Sequence, residues 1–307
     1  MVLTYDSKSH VWRAQFAAMA CDCELLIVAD NELGARDAAV AAIDEVRRIE
    51  HKYSRYRADS VVAEINANAG GASLVSIDEE TAQLIAFADQ LFAASDGLFD
   101  ITSGVLRRAW NFKNAELPSN ALIAEMVALI GWHRVEHNAH QLRLPESGME
   151  IDFGGFGKEY AADRAASVLI ERGVANALVN LGGDVRALGH RGDGAPWQLG
   201  IRHPRVDGET LASIPLVNTA LATSGDYERF VDVGGVRYCH VLNPKTGWPV
   251  QHWRSISVVA PVCAAAGALA TIAMLKGTEA LPFLREQGVS FLAVDAQGAV
   301  STEATLP

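Results

Sequence analysis

Two short segments in the second half of the sequence collect side chains that can do chemistry. One follows the apolar run 216–221 and contains Thr223, Ser224, Gly225 and Asp226. The run predicts a strand that ends in a loop, where hydroxyl groups and a glycine let a ligand approach closely. The other holds His240, whose imidazole has the side-chain pKa nearest to neutrality. His240 is therefore our candidate for proton transfer.

Structural roles fit the same two segments. A histidine near the end of a short strand, here 237–242, is as often a hydrogen-bonded part of the fold as a catalyst. Asp226 either orients a catalytic partner or caps the turn after Gly225. The residues by themselves leave both alternatives open.

A glycine-rich loop precedes a predicted helix at 158–171. Gly154-Gly155-Phe156-Gly157 leads into Lys158. Free backbone N–H groups at a helix start favour an anion, and Lys158 adds a positive charge. Glu159 stands where a P-loop needs Ser or Thr, so that motif is absent. Anion binding and a plain helix entry both fit this loop.

The segment 97–102, Gly-Leu-Phe-Asp-Ile-Thr, ends a predicted helix and begins an extended stretch. Asp100 and Thr102 lie on one face of an extended chain, where they suit a sugar-alcohol chain or the edge of a base. Trp110 is near enough in sequence to supply a stacking ring. The alternative is a helix stop followed by a buried strand. Asp184, at a strand end, is interpreted as a structural support.

The elements that position these residues follow from the hydrophobic periodicity. Helices are predicted at 37–53, 79–95, 120–131, 158–171, 264–275 and 278–287. Strands are predicted at 11–29, 177–181, 197–203, 211–216, 219–223, 236–242, 253–260, 290–295 and 298–301. Strands come in runs rather than in strict alternation with helices, which favours an α+β fold. Without repeats or a low-complexity linker, we expect one domain over 1–307.

Composition narrows the class of protein. The chain has 307 residues, of which 50% are hydrophobic, and a formal charge of −11. That charge argues against a nucleic-acid or anionic-membrane partner, so an anionic ligand needs local donors and a metal. The beginning lacks a signal-peptide pattern and no apolar run reaches about 18 residues. We expect a cytoplasmic protein, or a periplasmic one if the N-terminus is trimmed.

Four cysteines do not make a metal motif. Cys21 and Cys23 form a Cys-x-Cys pair without the second pair that a zinc site requires, and Cys239 and Cys263 are isolated. We expect all four to be reduced and to serve as structural residues or bystanders.

From about Met19 to Met274, ordered sequence blocks resemble the ApbE family of FAD:protein FMN transferases. They are Tyr53-Ser-x-Tyr56 with Ser60 and Asn66, 97–102, 152–164, 179–184, 222–229, 240–249 and 266–271. The resemblance implies an α+β ApbE-like fold, with mixed sheets, flanking helices and two intimate lobes around a flavin cleft.

The resemblance also implies site roles. Catalytic roles fall to His240, Lys158 and Asp226. FAD contacts fall to Met19, Tyr56, Phe99, Asp100, Thr102, Asp152, Gly155, Lys158, Thr223, Ser224 and Gly225. Magnesium would take a backbone carbonyl at Gly157 and the hydroxyl of Thr271.

One position departs from the family pattern. Relatives commonly present Asp and Thr four residues apart on one helix face, and both bind Mg²⁺. Here Thr271 is present, but its partner position is Gly267. Glu159 occurs where relatives often have glycine, and it either replaces the missing carboxylate or points to solvent in the first helical turn. A third alternative is a degraded metal site.

The implied activity is transfer of the FMN part of FAD to a Thr or Ser hydroxyl of an acceptor flavoprotein, with release of AMP. The acceptor would carry a short Asp-Gly-x-Ser/Thr-Gly-Ala-Thr/Ser segment. An FAD pyrophosphatase that yields FMN and AMP is the alternative enzyme. A non-catalytic FAD-binding protein with a degraded metal site is the alternative outside enzymes.

Overall fold

A large antiparallel sheet is the centre of the fold. The computed structural model describes residues 1–114 and 116–304, and within them nine strands pair in the order β1-β2-β3-β7-β8-β11-β14-β15-β16, every neighbour antiparallel. These strands are β1 (Val2–Asp6), β2 (Val11–Ala18), β3 (Cys21–Ile27), β7 (Ala177–Leu181), β8 (Asp184–Leu188), β11 (Ala220–Gly225), β14 (Trp253–Ala260), β15 (Ser290–Asp295) and β16 (Val300–Glu303).

Smaller sheets lie outside it. One joins β9 (Trp197–Arg202) to β10 (Thr210–Leu216), and a second joins β12 (Phe230–Val233) to β13 (Val236–Cys239). A third comprises β4 (Val75–Ser76), β5 (Glu136–His137) and β6 (Gln141–Arg143).

The helices begin where the sequence provides caps. They are α1 (Glu32–Tyr53), α2 (Val61–Ala67), α3 (Glu79–Ala94), α4 (Asn120–Ala128), α5 (Gly157–Glu171), α6 (Cys263–Lys276) and α7 (Ala280–Glu286). The side chains of Asn31, Ser60, Asp78 and Ser119 accept hydrogen bonds from N–H groups in the first turns of α1 to α4. At the end of α3, Gly97 adopts a φ of 76°, a left-handed conformation typical of a helix stop.

Apolar side chains bury both faces of the sheet. Helix α5 packs against both α1 and α6, and all three helices pack against the sheet in the main core, with Leu25, Ile49 and Phe156 among the fully buried side chains. On the opposite face, the β9–β10 hairpin covers a second cluster that includes Trp197 and Leu221. Two-sided burial keeps the central strands rigid, so that side chains at their ends are held in place.

The α+β prediction is confirmed, and several element bounds need correction. The expected strand 11–29 is a hairpin, because Met19 and Ala20 adopt φ values of 55° and 57° and form a tight two-residue turn. The strand expected at 219–223 continues to Gly225, so Thr223 and Ser224 lie on the strand and not in a loop. Asp100 caps a 3₁₀ helix, Ile101–Arg108, so an extended 100–102 is wrong. The two-lobe arrangement stays a prediction.

Candidate active site

Helices α5 and α6 face each other through side chains spaced one turn apart. On α5, the Asp163 carboxylate accepts hydrogen bonds from the N–H groups of Cys263 (2.8 Å) and Ala264 (2.9 Å), which caps α6. One turn earlier on α5 is Glu159, and one turn later on α6 is Gly267. The capping contact therefore places Glu159 opposite Gly267.

The Glu159 side chain fills the space that a side chain at position 267 would need. A Cβ built on Gly267 would lie 2.5 Å from Glu159 Oε1 and 2.6 Å from its Cγ. Contacts this short exclude any larger residue unless Glu159 moves. Glycine in a helix interior costs about 1 kcal/mol relative to alanine. We therefore infer that position 267 is glycine because the carboxyl group of Glu159 occupies the space of a larger side chain.

Glu159 is buried, which rules out the alternative in which it points to solvent. Among the described residues, its Oε2 atom has no hydrogen-bond partner. Desolvation, and then the nearby charge of Asp184, raise the pKa of Glu159 to about 8. A buried acceptor without a donor is costly, and a bound cation would satisfy it.

Two hydroxyl pairs involve neighbouring residues of β11 and lie on opposite faces of that strand. Ser224 Oγ is 2.7 Å from Thr271 Oγ1 on α6. Thr223 Oγ1 is 2.7 Å from Ser257 Oγ on β14, because neighbouring residues of a strand point to opposite faces. Ser224 therefore lies on the face of β11 that meets α6, together with Thr271. The loop position expected for Thr223 and Ser224 is wrong, and their contacts with FAD stay predictions.

Asp184, at the start of β8, organises the adjoining side chains. Its Oδ2 atom accepts a hydrogen bond from Lys158 Nζ at 2.6 Å, and its Oδ1 atom accepts one from the N–H of Thr223 at 3.3 Å. Burial lowers the pKa of Lys158, but the Asp184 carboxylate outweighs burial and raises it. Lys158 thus stays charged, and part of its side chain remains accessible to a ligand.

His240 follows β13 and is oriented by a backbone carbonyl. Its Nδ1 atom lies 3.3 Å from the carbonyl oxygen of Arg229. The Nδ1–H tautomer donates to that oxygen and leaves Nε2 free to accept a proton. Although the residue keeps an exposed surface, desolvation by surrounding atoms, together with the charges of Arg229 and Lys158, lowers the pKa of His240.

Asp226 pairs with an arginine and not with His240. Arg205 donates from Nη1 and Nη2 to the two carboxylate oxygens, at 2.7 and 2.6 Å. The pair lines a depression of about 280 Å³ beside the β12–β13 hairpin. The two roles expected for Asp226, orienting a catalytic partner or capping the turn after Gly225, stay predictions; the structure shows its carboxylate held by Arg205 beside this hairpin.

The glycine-rich loop packs around aromatic rings. A Cβ on Gly155 would lie 2.8 Å from Cζ of Phe99, a buried ring, so this close approach requires glycine. Asp152 forms an ion pair with Arg55 and accepts a hydrogen bond from the N–H of Gly154 at 2.9 Å. Its carboxylate therefore fixes the loop.

The remaining residues predicted to contact FAD differ in the exposure of their side chains. Asp100 and Thr102 are buried, and the Asp100 carboxylate accepts from Thr102 Oγ1 at 2.6 Å and from the N–H of Trp132 at 3.0 Å. Because protein groups satisfy both side chains, the structure indicates a supporting role for them. Tyr56 is 82% exposed and free to cover a ligand. Met19 is half-buried, and its N–H donates to Glu50 Oε1 at 2.7 Å.

A hard cation fits the buried corner between α5 and α6. The described residues contain no group of three or more His, Cys, Asp or Glu side chains that could form a metal cluster. They do contain the unpartnered carboxyl oxygen of Glu159 and the Thr271–Ser224 hydroxyl pair. Oxygen ligands of this kind suit Mg²⁺, which usually binds one or two carboxylates plus phosphate oxygens.

Comparison with known proteins shows the family of this sequence. The sequence matches the ApbE family over residues 19–293. The chain belongs to the ApbE family. Two relatives are named FAD:protein FMN transferase: that of Treponema pallidum is 34% identical over 280 residues (83% of this chain, 76% of the relative), and that of Haemophilus influenzae is 30% identical over 239 residues (74% and 68%).

Solved structures of the ApbE family have the same fold. The ApbE protein of Thermotoga maritima superposes with a TM-score of 0.88 at 32% identity and covers 96% of this chain and 97% of its own. The flavinyl transferase ApbE of Pseudomonas stutzeri, in its apo form, gives 0.85 at 26% identity, with coverage of 96% and 95%. Within residues 1–114 and 116–304, no helix has the length and hydropathy needed to cross a bilayer.

Asp184 is a positioning residue of the candidate site. The sequence predicts it as a structural support, and in the structure its carboxylate holds Lys158. The available signal is its position directly after the Gly182-Gly183 turn, where φ values of 63° and 98° reverse the chain. That turn pairs β7 with β8 and brings Asp184 to the end of the sheet beside α5.

Proposed function

We propose that this protein transfers the FMN part of FAD to a Thr or Ser hydroxyl of an acceptor protein and releases AMP. The observation that carries the proposal is the buried carboxyl group of Glu159, which packs over Gly267, one turn from Thr271 on α6, and whose Oε2 atom has no partner among the described residues. A buried acidic ligand next to the charged Lys158 is what a magnesium diphosphate substrate requires. The names of the relatives support the same reaction.

The binding step uses charge and backbone donors. Glu159, Thr271 and the carbonyl of Gly157 would hold Mg²⁺, which withdraws charge from the diphosphate when bound. Lys158, held by Asp184, would contact a diphosphate oxygen, and the N–H groups of the first turn of α5 after Gly157 would face the same anion. Met19, Tyr56, Phe99 and Gly155 would contact the flavin end.

The transfer step needs a base. The acceptor hydroxyl oxygen forms a bond to the FMN phosphorus while the bond between that phosphorus and the oxygen bridging to AMP breaks. His240 Nε2 takes the hydroxyl proton, and AMP leaves with the bridging oxygen. Asp226, held by Arg205, lies beside the β12–β13 hairpin that precedes His240.

The fate of the flavin after acid denaturation tests this reaction directly. The protein is incubated with FAD, Mg²⁺ and an acceptor domain that carries the Asp-Gly-x-Ser/Thr-Gly-Ala-Thr/Ser segment, and then precipitated with acid. We expect FMN retained covalently on the acceptor and AMP in solution in equal amounts. Free FMN with AMP would instead identify a pyrophosphatase, and intact FAD would identify a binding protein.

Flavin preference gives a second expected result. Because Lys158 and the start of α5 bind the diphosphate, FAD should bind at least about tenfold more tightly than riboflavin, or about 1.4 kcal/mol. Replacing Lys158 by glutamine should narrow that difference, and replacing the exposed Lys113 should not. Fluorescence titration measures both. Equal affinity of the wild-type protein for FAD and riboflavin would contradict diphosphate recognition.

A further inference from the structure

Cys21 and Cys23 form a thiol pair that the proposed transfer does not use. They lie two residues apart on β3, so their side chains share one face of the sheet. Their Sγ atoms are 3.7 Å apart, and both thiols lie near the carbonyl oxygen of Ala18, at 3.3 and 3.6 Å. Cys21 is partly exposed and Cys23 is buried. This geometry goes beyond the bystander role that the sequence predicts.

The surroundings of Cys21 connect it to the active site. A Cβ built on Gly182 would lie 2.8 Å from Cys21 Sγ and 3.6 Å from Lys158 Nζ, so the thiol and the ammonium group pack against one turn. The hydrogen bond with Cys23 and the charge of Lys158 lower the pKa of Cys21, although burial and the charge of Asp184 oppose them, and the same hydrogen bond raises the pKa of Cys23. A partly exposed thiol with thiolate character is the kind that reacts with oxidants.

We propose that Cys21 and Cys23 are a reversible oxidation site whose disulfide regulates the flavin site. The oxidant is a hydroperoxide such as hydrogen peroxide. The Cys21 thiolate attacks one peroxide oxygen, a sulfur–oxygen bond forms, the oxygen–oxygen bond breaks and hydroxide leaves. The Cys23 sulfur then attacks the sulfenic sulfur and gives up its thiol proton, a disulfide forms, and the hydroxyl group takes that proton and departs as water. Two equivalents of glutathione reverse the reaction and become glutathione disulfide.

Closing this bond must displace the end of β3. Alternate Cα atoms of a strand are about 6.7 Å apart, whereas a disulfide prefers roughly 5.5–6 Å between them. Cys21, the first residue of β3, is therefore pulled along the strand. The Met19–Ala20 turn precedes it and Gly182 packs against it. A shift of Cys21 therefore displaces the Met19–Ala20 turn on one side and the Gly182 turn beside Lys158 on the other. Because Met19 and Lys158 are proposed to contact FAD, this regulatory step rests on the proposed flavin function.

Mass mapping tests the oxidation independently of any flavin reaction. The reduced full-length protein is treated with equimolar hydrogen peroxide, denatured, alkylated with iodoacetamide and digested. We expect the peptide with Cys21 and Cys23 to escape alkylation and to be about 2 Da lighter than its dithiol form. Cys239 and Cys263 are buried and should be alkylated after denaturation, which makes them internal controls. Absence of the Cys21–Cys23 link would overturn the proposal.

FAD titration and single-turnover transfer test the regulation. A displacement of about 1 Å at a reacting site can cost roughly 10²-fold, so the oxidised protein should transfer FMN about 10²-fold more slowly, and glutathione should restore the rate. Cys23→Ala should stop at the sulfenic acid, which dimedone labels at Cys21, and Cys21→Ser should keep its rate under peroxide. A disulfide that changes neither FAD affinity nor transfer would reject the regulatory role. A mapped disulfide in a protein that never binds FAD would support the oxidation site and reject the transfer function.

Discussion

Replacing His240 by asparagine should lower the rate of FMN transfer by roughly 10²–10⁴-fold, the usual contribution of a general base. Asparagine keeps a polar side chain that can still donate to the carbonyl of Arg229, so the β12–β13 hairpin should remain in place. FAD affinity should change little, because the flavin and diphosphate contacts proposed above belong to other residues. Single-turnover transfer at saturating FAD and Mg²⁺ measures the rate, and fluorescence titration measures the affinity.

The pH profile separates a base from a structural histidine. The pKa of His240 is lowered, chiefly by desolvation, so its neutral form persists to more acid pH than that of an ordinary histidine. Transfer by the wild-type protein should therefore fall only below about pH 6.5, and this acid limb should vanish in His240→Asn. His190→Asn, at an exposed histidine, is the matched control and should keep both rate and profile. A parallel loss of rate and FAD affinity would assign His240 to binding or to the fold.

Hydrophobic periodicity was sufficient for most of the elements that hold this site. The apolar stripe of α3 and the glycine at 97 set that helix at Glu79–Ala94, and the alternating apolar residues at 256, 258 and 260 favour a strand at β14, Trp253–Ala260. Local signals of this kind depend only on neighbouring residues. They fail where two left-handed residues other than glycine make the turn, as at Met19–Ala20, which joins β2 to β3.

The site itself depends on contacts between residues far apart in sequence. Asp184 and Lys158 are 26 positions apart, and their ion pair forms only because the Gly182-Gly183 turn meets the start of α5. The direction of each β11 hydroxyl depends on where that strand ends, and a sequence boundary in error by two residues turns a strand position into a loop. The proximity of Cys21 to Lys158 likewise depends on the fold, because both side chains pack against Gly182.

The sequence shows that position 267 lacks the carboxylate of the family pattern. How the protein accommodates this difference is visible only in the packing of the side chains. Resemblance identifies the missing carboxylate and the additional Glu159, yet it cannot show that the two positions are neighbours. The structure shows that the carboxyl group of Glu159 occupies the volume of a side chain at 267. Two carboxylates cannot share that buried volume without overpacking and mutual repulsion, so each position constrains the other.

Removing the carboxylate at position 159 should therefore weaken the metal site, and placing a carboxylate at position 267 instead should restore it. Glu159→Ala should raise the Mg²⁺ concentration needed for half-maximal transfer by roughly 10- to 100-fold or more, since even hydrogen-bond partners of metal ligands have effects of that size. Gly267→Asp alone should be destabilised by about 1–3 kcal/mol, because its Cβ meets Glu159. The double variant should recover both stability and Mg²⁺ dependence, since an aspartate at 267 lies one turn from Thr271 on α6.

Direct measurement of metal affinity separates an effect on metal binding from an effect on the rate of transfer. Mn²⁺ titration followed by electron paramagnetic resonance, in the presence of FAD, measures affinity for each variant, and thermal unfolding measures stability. Glu171→Ala, at an exposed glutamate near the end of α5, is the matched control and should leave both unchanged. A double-mutant cycle should show strong coupling, as expected of two residues that share one ion and one volume. If Glu159→Ala leaves Mn²⁺ affinity intact while Gly267→Asp alone strengthens it, Glu159 is a buried neighbour of the metal site and not its ligand.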